Sequence, residues 1–169
     1  MAAIDEPVLG EDPADDRRNE TPLAERIRSL LAAEPFAVLC SQGDGQPYGS
    51  VIAYAVSSDL KRATFCTPRA TRKYRLITEC PGVALVVDNR SRHRGEIRQV
   101  EAVTITGRAV ELPTGDEHTA WRIRLLADHP YLRDFLDSPS CAMFRVDLVR
   151  YMHVCRFQEV SQWIPGTEA

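Results

Sequence analysis

Phe36-Ala37-Val38-Leu39-Cys40-Ser41, then Gly43-Asp44-Gly45, then Tyr48-Gly49-Ser50-Val51-Ile52-Ala53-Tyr54-Ala55-Val56: an apolar run, a turn and a returning run. Both runs are rich in β-branched, aromatic and small apolar residues, and the Asp-Gly step between them is a strong short-range hairpin signal. Ser57-Ser58-Asp59 turns the chain again, and Arg62–Thr67 reads as a third strand. Three strands in this order predict an antiparallel meander.

Working outward, the strand ending at Thr67 runs into Pro68-Arg69-Ala70-Thr71-Arg72-Lys73-Tyr74-Arg75. A helix is expected over 71–79, stopped by Pro81-Gly82. Helix N-termini present unpaired N–H groups and partial positive charge, so they attract anions. Arg72 and Lys73 in the first turn add charge-assisted donors. Four cations fall within residues 69–75 of a chain whose net charge is −3. A phosphate receptor is the functional reading, a solvated helix face the plain one. Nucleic acid fits poorly, because the chain is mildly acidic (pI about 5.8) and shows no second basic stripe.

On the N-terminal side, Thr21-Pro22 reads as cap and first turn of a helix, and Leu23, Ile27, Leu30 and Leu31 give it one apolar stripe. Residues 1–20 are acidic and polar, and read as a disordered tail preceding a single domain over 21–169. They contain no apolar stretch of signal-peptide type, and no run in the chain is long enough to cross a membrane. The expectation is a cytoplasmic protein.

Beyond the basic helix, Val83–Asp88 reads as a strand buried on both faces, residues 89–95 as an exposed loop, and Arg98–Glu111 as one long strand with a bulge or close approach at Gly107. Two helices follow over 114–127 and 129–136, then a final strand pair over 141–160, bent near Tyr151. The fold class is mainly β: an antiparallel barrel with flanking helices.

Five scattered cysteines lack C-x-x-C spacing, and four histidines lack ligand spacing. No metal site is expected. The cysteines read as structural thiols and the histidines as surface or loop residues. There is no G-x-G-x-x-G or Walker A loop.

The order of these elements and several short motifs resemble the FMN-binding split-barrel proteins related to pyridoxamine 5′-phosphate oxidase, over roughly residues 23–165. The resemblance implies a Greek-key split β-barrel. It implies that the backbone of Ser50, Val51 and Ile52 lies along a flavin. Cys66-Thr67 matches the family's strand end, and Thr71-Arg72-Lys73, with Arg69 nearby, matches its phosphate-binding step. Gln99 in Arg98-Gln99-Val100 and Trp163 near the C-terminus match residues that approach the flavin, the tryptophan from a partner subunit. A homodimer with FMN at its interface follows from the same resemblance, as does hydride transfer with a small-molecule substrate or NAD(P)H. Ser50 and Tyr54 stand where the oxidase proper carries Arg and Lys, and no Arg-x-His pair follows Arg156. The resemblance is therefore to a relative of the oxidase. F420 or haem in place of FMN, and a flavin-binding sensor without turnover, are the rival readings. No residue presents itself as a catalytic acid or base.

Overall fold

Asp44 and Gly45 take positive φ values of 53° and 72°, the paired left-handed geometry that lets two strands fold back with the correct twist. They join β1 (Phe36–Gly43) to β2 (Gln46–Val56), which pair from Gly43↔Gln46 to Phe36↔Ala53. The computed structural model describes residues 22–157 and 159–166. The acidic tail and the Thr21 cap expected from the sequence lie outside them.

α1 (Leu23–Ala33) buries Ile27, Leu30 and Leu31. The third strand of the meander, β3 (Arg62–Pro68), leads into α2 (Arg72–Glu79). β4 (Gly82–Asp88), β5 (Ala102–Glu111), α3 (Asp116–Asp128), α4 (Arg133–Leu136), β6 (Cys141–Cys155) and β7 (Glu159–Trp163) complete the chain. The sheet order is β3-β2-β1-β4-β5-β6-β7, and β3 also pairs with β6, so six strands close a barrel and β7 extends it beside β6. Every pairing is antiparallel. β4 returns beside β1 instead of β3, which gives the Greek-key order.

The barrel core is built from alternate residues. Leu39, Leu85 and Ile105 are fully buried beside Ala63, Phe65 and Val146, and each large aliphatic side chain so placed contributes about 1.5–3 kcal/mol. Phe65 and Phe144 stack at 5.4 Å between ring centroids. Gly107 sits at a register shift between β5 and β6. A Cβ there would lie 2.6 Å from the Asp147 carbonyl oxygen, so the close approach expected from the sequence requires glycine.

Three expectations need correction. β4 is not buried on both faces: Val83, Leu85 and Val87 point inward, while Ala84 and Val86 are half-exposed on the outer face. An antiparallel barrel covers only one face of its strands. Residues 98–100 are not in a strand. Ile97–Gln99 form a 3₁₀ turn whose cap, Glu96, accepts from the Arg98 N–H. The Glu101 N–H donates to Asn89 Oδ1 at 2.8 Å, closing the loop, and pairing starts only at Asp88↔Ala102. Finally, two histidines are core residues, since His129 and His153 are 1% and 0% exposed. The Nε2–H of His129 donates to the Tyr54 carbonyl at 2.9 Å, so its Nδ1 accepts from the Tyr131 hydroxyl at 3.0 Å. Both rings found hydrogen-bond partners that no sequence spacing announces.

Candidate functional site

β3 pairs with β6 along its whole length, from Arg62↔Asp147 to Pro68↔Cys141, but with β2 only over Tyr54–Val56 opposite Ala63–Phe65. Toward Ser50 the two neighbours diverge. The edge of β2 facing that gap therefore carries backbone donors and acceptors without a strand partner, the arrangement that accepts a flat, polar-edged ligand. Into this part of β2 the chain places Ser50, whose Oγ is buried and has no hydrogen-bond partner among the described residues. A buried hydroxyl left unpaired is costly, and a ligand atom would satisfy it.

At the far end of β3 stands α2. Thr71 caps it by accepting from the Tyr74 N–H at 3.3 Å. The Thr71 hydroxyl donates to the Pro68 carbonyl at 2.8 Å, so the Thr67 hydroxyl donates to Thr71 Oγ1 at 2.9 Å. Both hydroxyls are thus spent on building the helix start. No acidic residue occupies the first turn of α2; Arg72 and Lys73 stand there instead, against the helix dipole, where an anion would stabilise them. The Arg72 guanidinium lies 5.1 Å from the Tyr48 ring centroid, a cation–π contact that holds it at the mouth of the gap. Lys73 is half-buried, and among the described residues nothing pairs with it. Burial pushes its pKa down, as expected for a cation waiting on a counter-charge.

Arg69 has a different task. Its guanidinium donates to Glu111 Oε1 at 2.6 Å and to the carbonyls of Pro139 and Cys141, and the Glu111 carboxylate holds its pKa up. It staples β3 to β5 and to the start of β6. Glu111 Oε2 accepts from the Tyr74 hydroxyl at 2.9 Å, so one carboxylate ties both ends of the β3–α2 turn. Sequence reasoning missed Glu111, Tyr74 and Tyr48. Only the aromatic residue directly after Lys73 offered a signal, since it continues the helix that carries the cations.

The remaining candidates divide by position. Ile52 is buried in the core, and Val51 points outward at 68% exposure. Cys66 lies on the β3 face covered by Leu112, Trp121 and Met143. Gln99 and Trp163 are not brought to the gap within one chain. Gln99 is exposed on its 3₁₀ turn and contacts His93 Nδ1 at 3.1 Å, at the end of the barrel away from α2. Trp163 packs on Tyr151, ring centroids 5.1 Å apart. A cavity of about 430 Å³ between α1, α3 and the β2–β3 turn contains none of the candidate residues. Among the described residues no cluster of His, Cys, Asp and Glu could hold a metal, and no helix is long and apolar enough to cross a membrane.

A six-stranded antiparallel barrel with a gap between β2 and β3, and unpaired polar groups at that gap, defines the class of this protein: a split barrel. A family model described as pyridoxamine 5′-phosphate oxidase matches residues 23–155. The chain belongs to that family, as a relative of the oxidase proper. No curated protein matches the sequence. Solved structures share the fold. A haem-binding protein from Mycobacterium smegmatis superposes with a TM-score of 0.76 at 18% identity, over 86% of this chain and 59% of that one. ChuZ from Campylobacter jejuni gives 0.75 at 8% identity, over 88% and 63%. A FAD-binding protein from Mesorhizobium loti gives 0.64 at 24% identity, over 77% and 90%. The chain thus spans less than two thirds of the first and second of these.

Proposed function

We propose that this chain is a flavoprotein that holds FMN in the gap between β2 and β3, and that it acts as an oxidoreductase on a small molecule. The observation that carries the reading is the combination of the buried Ser50 hydroxyl and the half-buried Lys73 at the start of α2, both without a partner among the described residues. Lys73 and Arg72 would take the phosphate with the N–H groups of the first helical turn. Ser50 and the unpaired backbone edge of β2, at Val51 and Ile52, would meet the polar rim of the ring. Thr67, Thr71 and Arg69 shape this receptor without touching the phosphate themselves. Bound flavin supplies hydride and electron transfer; the protein supplies orientation and electrostatics.

The outer sheet face supports a homodimer as part of the same proposal. One row crosses five strands as Val51–Val38–Val86–Thr104–Met152, with Phe36 51% exposed beside it. A second copy on this face would bring a partner's surface to the flavin strand, and with it a route for Gln99 or Trp163 to the cofactor.

Haem is the second reading, favoured by the haem-binding protein that shares the fold. The absorption spectrum of the purified protein separates the two. Flavin bands, with FMN released on denaturation, support the proposal; a Soret band with no flavin overturns it.

A further inference from the structure

The C-terminal half of α1, the end of β2, the β2–β3 turn and the end of α3 line the cavity of about 430 Å³ that shares no residue with the phosphate receptor. Its volume falls in the range of about 300–1,000 Å³ common for small-molecule sites. We propose that this cavity is a second ligand site, and that it takes a carboxylate carried on an apolar body, such as a medium-chain fatty acid. Its wall includes Leu31, Ala55 and Leu60, all three buried, so an aliphatic chain entering it exchanges water for apolar surface. The inference does not depend on which cofactor the gap holds.

Two arginines supply the charge. Arg28 follows the buried Ile27 on α1, and Arg124 precedes the buried Leu125 on α3. Each stands at the edge of its helix's buried stripe and lines the cavity from its own side. The Arg28 guanidinium donates to the Ser58 carbonyl of the β2–β3 turn, a contact that fixes its place and leaves its charge uncancelled. Among the described residues nothing pairs with Arg124. Two carboxylates also line the cavity. Glu34 is held by Arg92 at 3.0 Å, and Asp128, one turn beyond Arg124, offsets one guanidinium. Two positive charges against one negative leave a single positive charge in excess, the complement of a monoanion.

Polar groups deeper in the wall are already satisfied. The Tyr54 hydroxyl donates to the Leu31 and Glu34 carbonyls, 3.1 Å from each, so the C-terminal end of α1 turns fewer bare carbonyls toward an anion. The His129 ring is spent on the Tyr54 carbonyl and the Tyr131 hydroxyl. A bound molecule therefore meets apolar wall in the buried part of the cavity and guanidinium donors at its exposed rim. Arg124 would hold the carboxylate, with Arg28 as the second cation, and the aliphatic chain would lie toward Leu60.

The test is calorimetric titration of the full chain with decanoate and with decylamine, which share one aliphatic chain length and differ in the sign of their charge. The expected result is saturable binding of decanoate and no comparable binding of decylamine. Arg124→Ala should weaken decanoate about tenfold or more, the worth of one charge-assisted hydrogen bond, and Arg124→Lys, which keeps the charge, should recover part of that loss. Arg124 is exposed, so its replacement leaves the fold intact. The Arg72→Ala/Lys73→Ala variant should bind decanoate as the wild type does, which separates this site from the phosphate receptor. Failure of decanoate to bind, decylamine binding as tightly, or a decanoate affinity unchanged in Arg124→Ala overturns the proposal, as does loss of decanoate binding in the Arg72→Ala/Lys73→Ala variant.

Discussion

Tyr74 donates to Glu111 across 37 residues of sequence, at 2.9 Å, and so binds the helix that carries Arg72 and Lys73 to the end of β5. Arg69 takes the other oxygen of the same carboxylate. The basic cluster is therefore two things: a staple at Arg69 and a receptor at Arg72 and Lys73. Glu111→Ala should loosen both contacts at once. The half-buried Tyr74 bond alone is expected to cost about 0.5–1.5 kcal/mol, read as a lowered urea midpoint. Flavin affinity should fall as well, because the orientation of α2 is no longer held.

Ser50→Ala separates cofactor binding from folding. The hydroxyl has no protein partner, so its removal leaves nothing unpaired, and stability of the cofactor-free protein should change by less than about 0.5 kcal/mol or rise. FMN affinity should fall about five- to tenfold, the worth of one hydrogen bond of about 1 kcal/mol. Calorimetric titration beside a chemical melt gives both numbers; a destabilised protein with unchanged FMN affinity would contradict the role assigned here.

His153 makes stability depend on pH. Burial holds its pKa below the ordinary 6.5, although the Glu101 carboxylate, 3.1 Å from Nε2, pulls the other way. Its Nδ1 is buried without an acceptor, so a second proton there would have no partner. The unfolded chain takes up that proton and the folded chain resists it. Stability is then fully present above about pH 6.5 and is lost as pH falls through the depressed folded value. Urea midpoints between about pH 8 and 5 should decline on the acid side, and His153→Gln should flatten that decline.

Much of the barrel was legible because its signals are local. The Asp44-Gly45 turn, the stripe through Ile27 and Leu30, and Gly107 against Asp147 each follow from a few neighbouring residues. The 3₁₀ turn at Ile97–Gln99 was not legible, because Asn89 across the loop decides where β5 begins. At the site, the cations announced themselves and their division of labour did not. Arg69 and Lys73 look alike in sequence, but Glu111 and the carbonyls of Pro139 and Cys141, distant in the chain, claim the first, while among the described residues nothing pairs with the second. The gap beside Ser50 was equally hidden, since it depends on where β3 leaves β2 for β6.

In the proposed site the start of α2 holds the phosphate of a flavin lying along β2. Titration of the full chain with FMN and with riboflavin, in the wild type and in an Arg72→Ala/Lys73→Ala variant, tests it most directly. The wild type is expected to bind FMN at least about a hundredfold more tightly than riboflavin, since two charge-assisted contacts of about 1.5–3 kcal/mol each depend on the phosphate. In the folded double variant this preference is expected to collapse. Equal affinity for the two flavins in the wild type, or FMN retained at full stoichiometry and undiminished affinity by the double variant, would contradict it.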